Sequence, residues 1–215
     1  MSFRQEEKLK IDKNKLIDLL DWIDTNQGYQ LFDSRVVSST YFDNDDLGMF
    51  KDSEECCVPR KKIRVRSYSK DTHTKEDTSL EIKTSSVEGR YKTSTKSFNL
   101  KKALAIGILD SDYGICKPKV RVTYRRAYYK VHNVRLTIDQ DIKYGKINSD
   151  GQSIYINTDT DIIVEIKANQ QVPIEYLFKM FPFERVRFSK YCRAINYCLS
   201  GHLNNSMNLV NKKWN

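Results

Sequence analysis

Charged and apolar residues alternate with a period of two along several segments of the chain. Between residues 62 and 68, Lys62, Arg64 and Arg66 alternate with Ile63 and Val65. The same alternation recurs near residues 3–11, 80–83, 134–139 and 164–167. Because successive side chains of a strand point to opposite faces, each segment predicts a strand with one charged and one apolar face. If the charged faces turn inward together, they line a basic tunnel whose wall also carries carboxylates.

The apolar patterns and turn residues together predict about eight strands and four helices joined by short connections. The predicted strands cover residues 3–11, 36–43, 61–69, 78–84, 90–98, 119–130, 133–144 and 162–168. The predicted helices cover residues 13–26, 100–109, 173–180 and 189–199. In the first helix, Leu16, Ile17, Leu20 and Ile23 recur at helical spacing, and Gly28 marks its end.

The order of these elements favours an α+β fold built on an antiparallel barrel. Helical patterns do not alternate regularly with strands, which argues against a parallel βαβ fold. A closed eight-stranded antiparallel β-barrel with helices packed outside fits better, because closure removes aggregation-prone edges. No repeat or linker divides the chain, so residues 1–215 are predicted to form one domain, with a core at about 3–200 and a C-terminal tail at 201–215.

The composition favours a partner that carries phosphate. The 215 residues include 37 Lys and Arg against 28 Asp and Glu, which gives a net charge of +9. Such a balance suits nucleotides, polyphosphate, nucleic acid or an anionic membrane surface. With 39% hydrophobic residues, the chain has a globular rather than a disordered composition.

The cysteines and the N-terminus predict a cytoplasmic protein. The five cysteines are odd in number and include no C-x-x-C pair, so free thiols in a reducing compartment are favoured over disulfides or a zinc site. The N-terminus lacks the apolar segment of a secretory signal. The longest apolar stretch, residues 103–109, is far shorter than the roughly 20 residues of a membrane helix.

Eight short motifs follow one another from Arg4 to about Leu199. They are Arg4-x-Glu6-x-Lys8, Ser39-x-Tyr41-Phe42-Asp43, Lys62-x-Arg64-x-Arg66-x-Tyr68, Leu80-Glu81-x-Lys83, Tyr124-x-Arg126-x-x-Tyr129, Arg135-x-Thr137-x-Asp139, Val164-Glu165-x-Lys167 and Ser189-Lys190-Tyr191. Each is weak alone. In this order they resemble the catalytic domain of the VTC (vacuolar transporter chaperone) family, the polyphosphate polymerase branch of the triphosphate tunnel metalloenzymes in the CYTH-like superfamily.

The resemblance implies a triphosphate tunnel and an ATP–polyphosphate phosphotransferase. Members of this branch move the γ-phosphoryl group of ATP onto a growing inorganic polyphosphate chain with a divalent cation, Mn²⁺ or Mg²⁺. The residues implied for catalysis and phosphate binding are Lys8, Arg64, Arg66, Lys83, Arg126, Arg135 and Lys167, with Lys96 and Lys190 as further phosphate ligands. Glu165 would hold the metal, with Glu6 and Glu81 as helpers.

The chemistry of phosphoryl transfer agrees with such residues. The protein must align the phosphates and neutralise the negative charge that develops on them. The guanidinium groups of arginine, which donate two parallel hydrogen bonds, and the ammonium groups of lysine are suited to this. No protein nucleophile is required, because the acceptor is a phosphate oxygen. Phosphates would carry most of the binding energy, so affinity should climb from AMP to ATP while the base contributes little. Tyr128 and Tyr129 are interpreted as packing residues rather than base-stacking platforms.

Three features of the sequence qualify the resemblance. Arg4 replaces the first glutamate of hydrolytic relatives, which favours the polymerase branch over a two-metal triphosphatase. Arg121 and Arg126 have opposite parity, so only one can face the lumen unless a bulge intervenes. Arg126 is predicted to face the lumen, and the direction of Arg121 is left undecided. Whether Lys92 or Lys96 touches phosphate depends on the register of its strand.

Other functions remain open. The first alternative is a tunnel triphosphatase or phosphohydrolase with water as acceptor, and the second is a non-catalytic module that binds polyphosphate or nucleotide. Nucleic acid is not expected as a partner, since that role would need basic residues on an outer surface with exposed aromatics. A separate membrane protein is a candidate partner, because no membrane segment is predicted in the chain.

Overall fold

The computed structural model of the chain describes residues 4–69, 77–148, 150–169, 172–173, 175–176, 179, 181 and 183–199. Its elements in chain order are β1 (Arg4–Ile11), α1 (Lys13–Thr25), β2 (Tyr29–Asp43), α2 (Gly48–Glu54), β3 (Arg60–Ser69), β4 (Asp77–Ser86), β5 (Gly89–Lys96), α3 (Leu100–Ile106), β6 (Ile108–Asp110), β7 (Gly114–Val131), β8 (Val134–Ile147), β9 (Ser153–Thr158), β10 (Ile162–Asn169) and α4 (190–199).

The strands form one antiparallel, strongly curled sheet. Eight of them follow the order β1-β10-β8-β7-β2-β3-β4-β5, with β6 added beside β7 and β9 beside β8. The sheet curls so far that Glu6 on β1 and Lys83 on β4 form an ion pair of 3.8 Å. The predicted α+β antiparallel fold is therefore confirmed. No backbone ladder joins β1 to β5 in the described strands, so closure of the barrel stays a prediction.

Each of the eight predicted strands has a counterpart, but two short strands were missed. β6 has only three residues, and two of them fall inside the predicted helix 100–109, which ends at Ile106 before Gly107. β9 pairs only with β8 and carries exposed apolar side chains that show no alternation. The predicted helix 173–180 lies partly outside the described residues, and the tail 201–215 lies wholly outside them.

Helix α1 covers the apolar, convex face of β1, β10 and β8. Its buried residues are Leu19 and Ile23, which pack in one cluster with Leu9, Leu136 and Val164 among others. Ile17 is 61% exposed, although the helical spacing had placed it on the packed face. The neighbouring strand positions on the other face are free to carry charge, because the convex face supplies this part of the hydrophobic core.

Helix α4 packs against aromatic side chains at one end of the concave face. Tyr191 stacks on Tyr41 with ring centres 5.2 Å apart, and Tyr197 stacks on Tyr144 at 5.3 Å. Tyr41 belongs to the concave face, since its hydroxyl contacts Arg64. The helix therefore covers one end of that face and leaves the charged part beside it. Within the described residues, no helix is long and apolar enough to span a membrane.

Asp43 joins β2 to both α2 and α4. Its fully buried carboxylate accepts hydrogen bonds from the backbone amides of Met49 and Phe50 at the start of α2, each at 3.0 Å. The hydroxyl of Tyr191 on α4 donates to the same carboxylate. Burial raises the pKa of Asp43, although these hydrogen bonds oppose the change. The Asp43 carboxyl thus fixes the position of α4 against the sheet.

Asp43→Ala removes this shared acceptor and leaves buried donors without a partner. We expect it to lower the free energy of unfolding by about 3 kcal/mol, because lost hydrogen bonds to a charged group and orphaned donors add up to that order. Urea denaturation followed by circular dichroism measures the change. Asp45→Ala is the control, since Asp45 is 69% exposed beside Lys117 and Lys119 and should cost under about 1 kcal/mol. Equal stability of the two variants would contradict this role of Asp43.

Candidate functional site

The strand register places the predicted basic residues on one face of the curled sheet. Arg64 is in register with Glu81, and Lys8 with Glu165, so these side chains share a face that points away from the core under α1. The ion pair between Glu6 and Lys83 spans this face, which is therefore the concave one. The predicted residues on it are Glu6, Lys8, Arg64, Arg66, Glu81, Lys83, Lys96, Arg126, Arg135, Glu165 and Lys167, and Lys190 reaches it from α4.

Glu81 on β4 is the centre of the first charge cluster. Its carboxylate, 3% exposed, accepts Arg64 Nε at 2.7 Å and lies 3.4 Å from Arg66 Nη1. Lys92 on β5 donates to its other oxygen. Burial alone would raise the pKa of Glu81, but the charges of Arg64 and Arg66 and the Lys92 hydrogen bond outweigh it and lower the pKa to about 2. Glu81 is therefore ionised and holds its cationic partners in place.

Neutral hydroxyl groups fix the same two arginines from β2 and β7. Arg64 Nη1 donates to the Tyr41 hydroxyl at 3.2 Å, and Arg66 Nη2 donates to the Tyr124 hydroxyl at 3.2 Å. Arg66 Nε also donates to Ser39 Oγ at 3.3 Å. A hydroxyl orients a guanidinium without cancelling its charge, so the positive field at this point of the face is retained.

A second cluster surrounds Asp139 on β8. Asp139 is fully buried and accepts two hydrogen bonds from Arg126, with Nε–Oδ1 at 2.6 Å and Nη2–Oδ2 at 2.7 Å. Lys190 from α4 donates to Oδ2 at 2.6 Å. Burial disfavours the charged carboxylate, but Arg126 and Lys190 outweigh it and lower the pKa of Asp139. A bidentate pair of this kind fixes both the position and the orientation of the guanidinium.

Glu6 and Glu165 form a carboxyl pair across the neighbouring strands β1 and β10. Their side chains hydrogen-bond to each other, and burial together with this bond raises the pKa of Glu6. Burial also disfavours a charged Glu165. The hydrogen bond with Glu6 and nearby positive charges, Lys167 first among them at 2.8 Å, outweigh burial and hold the pKa of Glu165 well below its ordinary value. The two carboxyls therefore differ in pKa, and Glu6 is the one of the pair that takes up a proton more readily.

Three lysines line the face where it meets the start of α4. Lys8 Nζ donates to the carbonyl of Phe188 at 2.5 Å, and Lys62 Nζ donates to Ser189 Oγ at 3.1 Å. Lys190 Nζ lies 4.7 Å from the ring centre of Tyr124. Burial lowers the pKa of Lys8 to about 8, although the nearby Glu165 opposes the change. α4 thus brings its own cation to the face and fixes two others through the segment before it.

Other predicted residues lie at the rim rather than at the buried centre. Arg135 is exposed, and its guanidinium is 5.9 Å from the ring centre of Tyr128. Lys83 is 43% exposed. Lys96 is exposed on the edge strand β5, where Lys92, four residues earlier and on the same face, is the lysine that contacts Glu81. The register puts Lys92 and Lys96 on the same face, so which of them touches phosphate stays a prediction.

Arg121 and Arg126 keep opposite parity, because the bulge between β7 and β8 lies in β8 and not in β7. The β7–β8 register shifts next to Asp141, which has a φ of 53°. The extra residue belongs to β8, so β7 keeps its alternation and Arg121 faces away from Arg126. Arg121 Nε there donates to Thr40 Oγ1 at 3.2 Å.

A divalent cation fits the Glu6–Glu165 pair only together with a phosphate ligand. The described residues contain no group of three or more His, Cys, Asp or Glu side chains that could hold a metal. Glu6 and Glu165 lie on the same face of neighbouring strands with their side chains in contact, so a cation could lie between the two carboxylates. Glu81, the third predicted metal ligand, is instead paired with the arginine cluster. Hard divalent ions commonly combine one or two carboxylates with phosphate oxygens.

Sequence reasoning missed several residues of this site. Asp139 was quoted in a motif but given no role, although it shares the parity of Arg135 on the same strand. Lys62 also belongs to a quoted motif. The hydroxyls of Tyr41 and Tyr124 carried no signal of their own, because only the register shows that they meet Arg64 and Arg66.

Comparison with solved structures shows the fold at low sequence identity. A candidate adenylate cyclase from Bacillus halodurans has a TM-score of 0.55 at 15% identity, over 87% of this chain and 94% of that one. A candidate adenylate cyclase from Vibrio parahaemolyticus has a TM-score of 0.51 at 14% identity, over 87% and 95%. A candidate adenylyl cyclase from Hippeastrum, described as having a dominant triphosphatase activity, has a TM-score of 0.54 at 15% identity, over 92% and 97%.

Comparison of sequences identifies the family. Curated proteins give no significant match to the chain. A model of the VTC domain matches residues 3–114 and 110–199, and these two segments include all the charged residues described above. Since the match spans nearly all of the described residues, the chain belongs to the VTC domain family.

Proposed function

We propose that the protein is a metal-dependent polyphosphate polymerase that transfers the γ-phosphoryl group of ATP onto a growing inorganic polyphosphate chain. The observation that carries the proposal is the line of fixed cations along one concave face, next to the adjacent carboxyls of Glu6 and Glu165. Membership of the VTC domain family supports it. The proposed phosphate-binding residues are Lys8, Arg64, Arg66, Lys83, Lys96, Arg126, Arg135, Lys167 and Lys190, to which Lys62 and Lys92 are added.

The fixed cations would bind and align the phosphates. Glu81 and Asp139 engage only part of the donors of Arg64, Arg66 and Arg126, and each guanidinium has five N–H donors. The remaining donors and the lysine side chains belong to the same face of the sheet. A triphosphate lying along this face would exchange water for several charge-assisted hydrogen bonds at positions fixed in advance.

The transfer step needs no nucleophile from the protein. A terminal oxygen of the acceptor phosphate attacks the γ-phosphorus, the new P–O bond forms, the bridging bond to the β-phosphate breaks, and ADP leaves. Negative charge grows on the leaving oxygen and spreads over the equatorial oxygens. Arg64, Arg66 and Arg126 would neutralise that charge without having to move. A closed tunnel would also limit access of water as a competing acceptor.

Glu6 and Glu165 are the residues that would hold the divalent cation, Mn²⁺ or Mg²⁺. When bound, such an ion neutralises phosphate oxygens and helps to orient them. Its binding would require Glu6 to be ionised, and burial and the neighbouring Glu165 raise the pKa of Glu6, so affinity for the metal should fall at low pH. Without a bound cation, Lys83 and Lys167 partly neutralise the negative charge of the two carboxyls.

Triphosphate hydrolysis is the second candidate function. It would use the same face with water as the acceptor, and the solved structure from Hippeastrum with a described triphosphatase activity shares this fold. A structure at 15% identity supports the fold rather than the reaction. The polymerase is preferred because the family model that matches is the VTC domain. The cytoplasm remains the proposed location, on the basis of five free thiols.

The products formed from ATP distinguish the two reactions. Purified protein is incubated with ATP and Mn²⁺, long phosphate polymers are detected on a gel, and free phosphate is measured in the same samples. The proposal predicts polymer with little free phosphate. Free phosphate without polymer would contradict the polymerase and support hydrolysis, and ligand binding without any turnover would support a binding module.

Glu165→Gln tests the metal-binding pair. The amide keeps the shape of the side chain and removes its charge, so metal-dependent turnover should fall by more than about 100-fold, the upper end of the loss seen when a residue behind a metal ligand is changed. Triphosphate binding in EDTA should persist or become tighter, because the carboxylate repels phosphate when no cation lies between them.

Glu7→Gln is the matched control for this variant. Glu7 lies on the same strand as Glu6 but on its other face, in register with Ile166. Turnover and binding should therefore stay near their original values. Normal turnover of Glu165→Gln with Mn²⁺ would show that Glu165 is not a metal ligand.

A further inference from the structure

Phe32 and Arg35, in the first half of β2, have no role in the proposed phosphate site. They form a cluster of aromatic and arginine side chains with the buried Tyr128 of β7 and with Arg135 of β8, which is also a proposed phosphate ligand. Phe32 is 50% exposed, and its ring meets Tyr128 edge-on with centres 5.7 Å apart. The Arg35 guanidinium lies 5.4 Å from the ring centre of Phe32 and 5.9 Å from that of Tyr128. Arg135 lies 5.9 Å from the centre of Tyr128. These four residues are called the mouth cluster below.

An open cavity of about 450 Å³ adjoins the mouth cluster. It is lined by Gln30, Leu31, Phe32, Asp33 and Arg35. The register of β2 against β7 is irregular on both sides of Phe32, before it towards Gln30 and after it towards Arg35. Irregularities of this kind re-aim side chains at the edge of a sheet. They place an aromatic ring beside a cavity at the end of the concave face opposite α4.

Arg35 has a donor that no described residue satisfies. Its Nε is buried and has no hydrogen-bond partner among the residues that the structure describes. Buried donors without an acceptor are rare because they are costly, so this donor is available to an oxygen atom of a ligand or of water. Arg35 is in register with Arg126 of the Asp139 cluster. The unsatisfied donor therefore lies directly beside the phosphate site.

The lining of the cavity suits a nucleoside better than a phosphate chain. Asp33 contributes a carboxylate, which would repel phosphate oxygens but can accept a hydrogen bond from an amino group on a base. The half-exposed ring of Phe32 offers a face for stacking, and Arg35 offers a planar cation. Stacking on such groups accepts any base, because every base has a π-face.

We propose that the mouth cluster is the nucleoside subsite of the enzyme. The base stacks on Phe32, and Arg35 Nε donates to an oxygen of the ribose or the α-phosphate. The β- and γ-phosphates then extend towards Arg126 and Arg66. The inference rests on the proposed function, because it takes a nucleoside triphosphate as the substrate.

The spacing along the strands is compatible with a nucleotide in this position. Tyr128 opposite Phe32 is two residues beyond Arg126 on β7, which corresponds to about 7 Å of strand. A base at Phe32 can therefore be joined through its ribose to phosphates at Arg126. Tyr128 would then support the base-stacking ring as well as pack, a role that sequence reasoning had not given it.

Two ligands that share a triphosphate and differ in the nucleoside test the subsite. ATP and inorganic tripolyphosphate are titrated by calorimetry in EDTA, so that neither is turned over. Phe32→Ala should weaken binding of ATP roughly tenfold, the order expected for loss of one stacked base, and leave tripolyphosphate unchanged. Phe32→Trp should keep the affinity for ATP, and the tryptophan fluorescence of that variant should fall with ATP but not with tripolyphosphate.

Tyr155→Ala is the control, because Tyr155 is 57% exposed on β9, away from β2. It should change neither affinity. Equal effects of Phe32→Ala on both ligands, or an effect on neither, would overturn the nucleoside subsite while leaving the phosphate site in place. Failure of the original protein to bind either ligand would instead overturn the proposed function, and the subsite with it.

Discussion

Burying arginine and lysine side chains on the concave face of a curled sheet costs desolvation free energy, which only a fixed countercharge offsets. Glu81 and Asp139 provide that countercharge, and they are 3% and 0% exposed. Each holds more than one cation, so the guanidinium groups of Arg64, Arg66 and Arg126 have defined positions in the absence of any ligand. Such pairs are weak evidence for stability. These ion pairs instead fix the cations in positions that need not change when phosphate binds.

The carboxylates of the concave face therefore divide into two kinds. Glu81 and Asp139 have lowered pKa values and act as permanent anions that hold arginines. Glu6 and Glu165 lie side by side, with the pKa of Glu6 raised and that of Glu165 lowered, and this pair is the proposed site of the cation. The difference in pKa follows from the charged groups that lie next to each carboxyl. It places the groups that align phosphate and the groups that could hold a metal on adjacent parts of one face, with α4 closing one end and the mouth cluster at the other.

The period of two in the sequence was enough to predict most strands and to assign the charged residues to one face, because alternation is a local property of a strand. It could not show which strands are neighbours. The roles of Asp139 and of Lys92 depend on that register, as do the hydroxyl contacts of Tyr41 and Tyr124 with the arginines. The bulge at Asp141 is likewise a feature of two paired strands. In α1, the choice of Leu19 over Ile17 as a core residue was set by how the helix docks on the sheet, which spacing alone does not fix.

The central claim is that the concave face binds a triphosphate beside a metal held by Glu6 and Glu165. Diffraction from crystals grown with inorganic tripolyphosphate and Mn²⁺, with data collected at the manganese absorption edge, tests it most directly. The account predicts an anomalous peak between the carboxylates of Glu6 and Glu165, with phosphate density extending along Arg64, Arg66 and Arg126. Phosphate bound on the convex face, or phosphate on the concave face with manganese bound elsewhere, would contradict it.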